Sequence, residues 1–199
     1  MLSEETIEKN PFDQFEKWFN DVLKANFKEP TAVALATCSR DLKPSVRMVL
    51  MKDFSREGFV FYTNYMSRKG REIEENPKAA LLFYWDILER QVRVEGLIEK
   101  VPDSVSDKYF DSRPRESRIG ALASPQSQVI ASREVLEQKV AELQKQFGDN
   151  EKIPRPPHWG GYVLSPRYFE FWESRPSRLH DRIAYVLSDK TWKIFRLAP

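Results

Sequence analysis

Apolar and polar positions change period several times along the chain, and each change predicts an element. Phe12, Phe15, Phe19, Val22 and Leu23 recur at helical spacing between Asp13, Glu16, Lys17 and Asp21, predicting an amphipathic helix from Pro11 to about Phe27. Four segments rich in β-branched and aromatic residues follow: Thr31 to Thr37, Ser45 to Met51, Phe59 to Thr63 and Ala79 to Trp85. Short breaks carrying Asp41, Pro44, Asp53 and Gly58 separate the first three, so an antiparallel meander is expected. Ser67 to Asn76 interrupts it as a short helix with Ser67 as N-cap, and Gln91 to Val101 returns to alternation.

Asp103 to Phe110, Pro114 to Ala123 and Ser132 to Phe147 then read as helices, the last with Leu136, Val140, Leu143 and Phe147 as its stripe. Past the proline-rich GDNEKIPRPP segment, strands resume at Trp159 to Leu164, Tyr168 to Trp172, Arg178 to Val186 and Trp192 to Leu197. No internal repeat or low-complexity tract divides the chain. The expected fold is a single β-rich α+β domain over residues 11–199, a barrel closed to hide its edges with peripheral helices, after a flexible tail at residues 1–10.

Composition narrows the function. The 199 residues are 41% hydrophobic and 13% aromatic, enough for a core, and 32 Lys+Arg against 30 Asp+Glu leave a net charge of only +2. An anion site must therefore come from local clustering, and a nucleic-acid partner is not expected. One cysteine, Cys38, and two histidines exclude a disulfide framework and a Cys- or His-rich metal cage, so no metal is expected and the reducing cytoplasm is the expected compartment. The acidic start MLSEETIEKNPFDQF lacks the basic, apolar signature of a signal peptide, and no membrane partner is expected.

Neither glycine-rich phosphate motif occurs, so a nucleotide would have to be held by side chains. Arg68 and Lys69 fall in the first turn of the helix capped by Ser67, where cations are unfavourable by about 0.3 to 1 kcal/mol unless an anion neutralises them; a solvated basic turn is the other reading. On a strand, Arg178, His180 and Arg182 would share one face, a cationic row that needs either an anionic ligand or a network with Glu170, Glu173 or Asp181. Alternation sends Arg47 and Lys52 to opposite faces. Tyr109, Arg113 and Ser117 are spaced as phosphate donors on one helical face, but Pro114 disfavours helix at Arg113, so two helices meeting at a break are expected. Gln91 with Arg93, and Gln126 with Ser127, offer neutral hydrogen bonding or ordinary surface chemistry, while His158 reads as structural.

In combination, RMVLMK (Arg47 to Lys52), FYTNYMSRKG, ERQVRVEG, YFDSRPRESRIGA, FEFW, RLHDR and the closing WKIFRLAP resemble the pyridoxine (pyridoxamine) 5'-phosphate oxidase family from Phe12 to Pro199. The resemblance implies an FMN-binding split β-barrel, working as a homodimer with FMN at the interface. It implies FMN contacts from Arg47, Met48, Val49, Leu50, Met51, Lys52, Tyr62, Thr63, Arg68, Lys69, Gln91, Gln126, Ser127, Trp172 and Arg182. It further implies that Lys52, Tyr109, Arg113 and Ser117 hold the substrate phosphate, and that Arg178, Leu179 and His180 cover its ring, with Arg178 and His180 as catalytic residues. The implied reaction oxidises pyridoxine 5'-phosphate or pyridoxamine 5'-phosphate to pyridoxal 5'-phosphate by hydride transfer from C4' to flavin N5, with O2 giving H2O2.

Two departures stand out. Ten residues precede Pro11 with no Arg or Tyr among them, where the family often carries an R-x-x-Y arm, so a substrate lid is expected to be missing or built differently. Ser174-Arg175-Pro176-Ser177 replaces the expected small, glycine-containing turn. A non-catalytic flavin or pyridoxal-phosphate carrier and a barrel binding single-stranded RNA are the alternatives; retention of Arg178 and His180 argues against the first, near-zero net charge against the second.

Overall fold

The computed structural model describes residues 2–148 and 152–199. Helix α1 (Pro11–Lys24) opens on Asn10, whose side chain accepts the Phe12 N–H at 3.0 Å, with Pro11 in the first turn where its missing N–H costs nothing. Its apolar face puts Phe15 edge-on against Phe59 and Phe83, with centroids at 4.8 and 5.0 Å. That aromatic cluster fills the barrel.

Among the described residues nine antiparallel strands wrap it: β1 (Ala32–Cys38), β2 (Pro44–Leu50), β3 (Asp53–Ser55), β4 (Gly58–Asn64), β5 (Lys78–Trp85), β6 (Arg90–Lys100), β7 (Trp159–Glu173), β8 (Asp181–Ser188) and β9 (Thr191–Arg196). Their order is β2-β1-β5-β6-β7-β4-β3, with β8 and β9 continuing from β7. The expected meander is therefore corrected: β4 pairs with β3 and β7 and leaves β2. The reason lies in β7, where Gly160 and Gly161 leave room for the Tyr65 and Tyr62 side chains; a Cβ there would come within 2.1 Å of the Tyr65 hydroxyl and 2.8 Å of the Tyr62 ring. The ring closes where the Lys52 N–H donates to the Val60 carbonyl at 2.8 Å.

A second correction concerns β7, which runs unbroken through Pro166 where two strands were expected. The register against β6 shifts between Glu95 and Gly96, and this bulge absorbs the proline that cannot join a ladder. Before the bulge β7 pairs with β4, after it with β8, so the sheet divides there into a split barrel. A third correction concerns Arg178. Strand β8 begins only at Asp181, and Pro176–Arg178 forms a 3₁₀ turn with Ser177 and Arg178 at φ 58° and 61°, so alternation does not govern Arg178.

Outside the barrel lie α2 (Arg68–Glu75), α3 (Asp103–Ser112), α4 (Arg115–Ala123) and α5 (Arg133–Phe147). The last three share a satellite core of Phe110, Ile119, Leu143, Ile153 and Trp159. Residues 2–10, expected as a flexible tail, pack on the barrel instead: Leu2 and Ile7 are buried, and the Tyr185 hydroxyl donates to the Glu8 carbonyl at 2.6 Å. Two apolar side chains withdrawn from water anchor them. Among the described residues, no helix is long and apolar enough to cross a membrane and no cluster of three or more His, Cys, Asp or Glu could hold a metal ion.

Candidate functional site

A cavity of about 520 Å³ opens between the end of β2, β4, α2, the α3–α4 break and the start of β7. Met48, Val49, Leu50 and Lys52 come to it from β2 and its continuation, Tyr62 and Thr63 from β4, and Lys69 from α2. Tyr109, Arg113 and Ser117 converge across the α3–α4 break, which Pro114 produces by forcing Arg113 into extended geometry, and Gln126 closes the rim. Three cations, Lys52, Lys69 and Arg113, line the cavity. Among the described residues, no carboxylate does.

Lys69 is only 8% exposed, and its ammonium donates to two neutral oxygens, Thr63 Oγ1 at 3.2 Å and Gln126 Oε1 at 3.3 Å. Burial, reinforced by the nearby Arg47 charge, pulls its pKa below the ordinary lysine value. The Arg113 guanidinium lies over Trp159 at 4.6 Å, and its buried Nη1 has no hydrogen-bond partner. Tyr62 stacks on Tyr109 with centroids 3.8 Å apart, and Trp159 lies near-parallel to both. Burial raises the phenol pKa of Tyr62 and Tyr109, so both stay neutral donors at physiological pH. A buried ammonium, an orphaned guanidinium nitrogen and an aromatic stack together suit a planar, phosphorylated ligand.

Arg47 and Arg68 stand beside the cavity, joined to Glu72 on α2. Glu72 accepts from Thr37 and Ser45 hydroxyls, both at 2.5 Å, from Arg68 Nε at 2.8 Å and from Arg47 Nη2 at 3.2 Å. Burial alone would raise this carboxyl, but those hydrogen bonds outweigh it and hold the pKa at about 2. Met51 turns away into the barrel core at 4% exposure, and its N–H is bonded to the Thr31 carbonyl. Ser127, in the left-handed region at φ 69°, is exposed outside the lining.

The remaining candidates gather elsewhere. Gln91, Trp172 and Arg182 are register partners in one row across β6, β7 and β8, on the sheet face opposite Phe171. Arg182 Nε donates to Glu170 Oε1 at 2.8 Å, and Arg93 meets Glu170 Oε2 at 2.9 Å, so here the carboxylate network takes up the charge. The His180 ring sits 4.6 Å from Trp172, while Arg178 and Leu179 are exposed on the turn before β8. One chain thus divides the candidates between a cavity and a separate row.

A family model described as pyridoxamine 5'-phosphate oxidase matches residues 19–147, and one described as the pyridoxine 5'-phosphate oxidase C-terminal dimerisation region matches residues 159–199. The chain belongs to the pyridoxamine 5'-phosphate oxidase family, a family of oxidoreductases. It is 56% identical over 199 residues to the pyridoxine/pyridoxamine 5'-phosphate oxidase of a Nostoc species, covering all of this chain and 92% of that one. The enzyme of that name from Cupriavidus metallidurans is 53% identical, with 93% of its length covered. Among solved structures, PhzG from Burkholderia lata, in complex with tetrahydrophenazine-1-carboxylic acid, superposes with a TM-score of 0.93 at 32% identity, covering 100% of this chain and 98% of that one. A pyridoxamine 5'-phosphate oxidase-related, FMN-binding protein from Nostoc punctiforme shares the fold at a TM-score of 0.75 and 16% identity, over 97% of this chain and all of that one.

Several residues of this oxidase-family site carried no signal of their own in the sequence. Trp159, which floors the cavity, read only as the start of a strand, and Glu72 as one acid in a charged helix. Glu72 could have been found from SRKGREIEEN: it is the acid four residues after Arg68, an i,i+4 pair that would anchor a first-turn arginine.

Proposed function

We propose that this family member oxidises pyridoxine 5'-phosphate or pyridoxamine 5'-phosphate to pyridoxal 5'-phosphate in the cytoplasm, as a homodimer whose two sites lie at the subunit interface. The observation that carries the reading is the cavity lined, among the described residues, by three cations, an aromatic stack and no carboxylate. Such a surface is unfavourable until phosphate oxygens fill it, each charge-assisted hydrogen bond then contributing about 1.5 to 3 kcal/mol. Hydride acceptance from the substrate C4' carbon, and reoxidation by O2 with release of H2O2, are the chemistry FMN supplies when bound.

This chain's residues bind and orient. The donor set fits FMN: Lys69, with Arg68 and Arg47 behind it on Glu72, would hold the flavin phosphate, and Thr63, Gln126 and Ser127 would add neutral hydrogen bonds. Met48 to Leu50, Tyr62 and Lys52 would lie along the flavin. Lys52, Tyr109, Arg113 and Ser117 would take the substrate phosphate; the unpartnered Arg113 Nη1 supports this placement. The row of Gln91, Trp172 and Arg182, with Arg178, Leu179 and His180 beyond it, would come from the second subunit and cover the flavin and the pyridine ring. Exposed Val46, Met48, Leu50 and Tyr84, from 36% to 69% exposed, support burial against that subunit.

Anaerobic mixing of the flavin-loaded protein with each phosphate ester tests the reading. Bleaching of the flavin absorbance, and peroxide release once air is admitted, are the expected results. A yellow protein that neither bleaches nor releases peroxide is a carrier, and the proposal is then wrong.

A further inference from the structure

The turn between β7 and β8 combines backbone strain with ion pairing, and one side chain connects the two. Ser177 and Arg178 are consecutive non-glycine residues in the left-handed region, a conformation that persists only where its surroundings impose it. Just before them, Arg175 reaches both ends of the turn: its Nη2 lies 2.5 Å from Glu173 Oε2 and its Nε 2.6 Å from Asp181 Oδ2. Each carboxylate is fixed a second time on a strand, Glu173 by Arg90 Nε at 3.2 Å and Asp181 by Arg196 Nη1 at 3.0 Å. The planar guanidinium therefore bridges two anchored points, which a single-point ammonium does less well.

The same residue touches His180 through its backbone. The Arg175 N–H donates to His180 Nδ1 at 3.1 Å. A backbone N–H can only donate, so Nδ1 accepts and the ring proton sits on Nε2. Trp172 packs against the imidazole with its ring 4.6 Å away and tilted by 42°. Among the described residues Nε2 has no partner within the chain, which leaves one N–H donor free for a ligand.

We infer that Arg175 is a positioning residue: by clamping Glu173 to Asp181 it holds the strained 174–180 turn so that Arg178 is presented and His180 offers an Nε2–H donor to the substrate. The inference rests on the proposed role of His180 at the substrate ring. A substrate group facing this donor must accept a hydrogen bond, as an alcohol oxygen or an uncharged amine does and an ammonium does not. The clamp thereby selects the protonation state of an amine substrate as well as its position.

The holoenzyme variants Arg175→Ala, Arg175→Lys and His180→Asn test it, read by imidazole nitrogen NMR and by steady-state kinetics. The chain has two histidines, so His180→Asn assigns the His180 signals outright. In the parent, Nε2 should be the protonated nitrogen. In Arg175→Ala the two tautomers should mix and KM should rise on the order of tenfold, the loss of one hydrogen bond to the substrate, with FMN affinity unchanged. Arg175→Lys should recover part of both. A parental nitrogen pattern in Arg175→Ala overturns the inference whatever KM does, and so does a mixed pattern with parental KM. Parental kinetics in His180→Asn would instead sink the role of His180 at the substrate, an outcome the NMR arm keeps separate from the clamp.

Discussion

The cavity beneath α2 and the row across β6, β7 and β8 are both rich in basic residues, yet they treat charge in opposite ways. On the face of the row Arg93 and Arg182 share Glu170, and beside it Arg90 and Arg175 share Glu173 while Arg175 and Arg196 share Asp181. In the cavity Lys69 contacts only neutral oxygens and Arg113 leaves a nitrogen orphaned. The row is electrostatically complete and serves as a shaped surface. The cavity is short of negative charge, and a phosphorylated ligand is what completes it. A count of arginines cannot separate the two; the partners can.

The largest expected effect breaks the complete side. Glu170 is 3% exposed, and although burial would raise its carboxyl, the Arg182 hydrogen bond and the Arg93 charge hold the pKa below its ordinary value. Glu170→Ala leaves two arginines without their shared counter-charge and should destabilise the fold by about 3 to 5 kcal/mol, read as the denaturant midpoint of the flavin-free protein. A loss under about 1 kcal/mol would mean that the row is no more than a set of surface ion pairs.

Glu72 extends the contrast to the cavity's edge, where Arg47 and Arg68 are neutralised. Its folded-state pKa of about 2 lies below the 4.5 of an unperturbed glutamate, so the folded state favours the ionised form. That preference is worth about 3 kcal/mol, present in full above about pH 4.5 and lost as pH falls towards 2. Acid unfolding of the parent should therefore steepen in that window, and Glu72→Gln should flatten it. Equal acid profiles would show that the hydrogen bonds to Glu72 contribute nothing.

Lys69→Met sharpens the cavity side. Removing a buried ammonium that hydrogen-bonds only neutral oxygens, and whose burial and Arg47 outweigh the nearby Glu72 charge, should leave the flavin-free protein at least as stable as the parent. FMN affinity should fall about 10- to 100-fold, the equivalent of roughly 1.5 to 3 kcal/mol, measured by quenching of flavin fluorescence. Loss of stability together with unchanged affinity would reverse the roles given to the two regions.

Much of this contrast was legible in the chain before any geometry. The Ser67 cap and the break at Pro114 followed from local rules, because capping and proline sterics act over a few residues, whereas Lys52 lies past the end of β2, where alternation no longer places it. Ser67 does accept the Gly70 N–H, at 3.3 Å. The pairing of β4 with β7 was not legible, since it depends on glycines about a hundred positions away that admit two tyrosine rings. Nor could the sequence apportion Glu170, Glu173 and Asp181 among the arginines. That choice is made by register across three strands, and register is a property of the sheet.

Ser177→Gly carries the smallest effect and bears on how the row holds its last residues. At φ 58° Ser177 occupies backbone that glycine adopts without a Cβ penalty, and the relief exceeds the extra entropy glycine loses on folding. The variant should gain about 0.5 to 1 kcal/mol, a rise in Tm of roughly 1 to 4 °C in calorimetry. KM should not change, because the ion pairs of Arg175, and not the backbone preference of residue 177, fix the turn. A raised KM at raised stability would assign the geometry to the strained serine itself, and the completeness of the row would then lie in its backbone as much as in its paired charges.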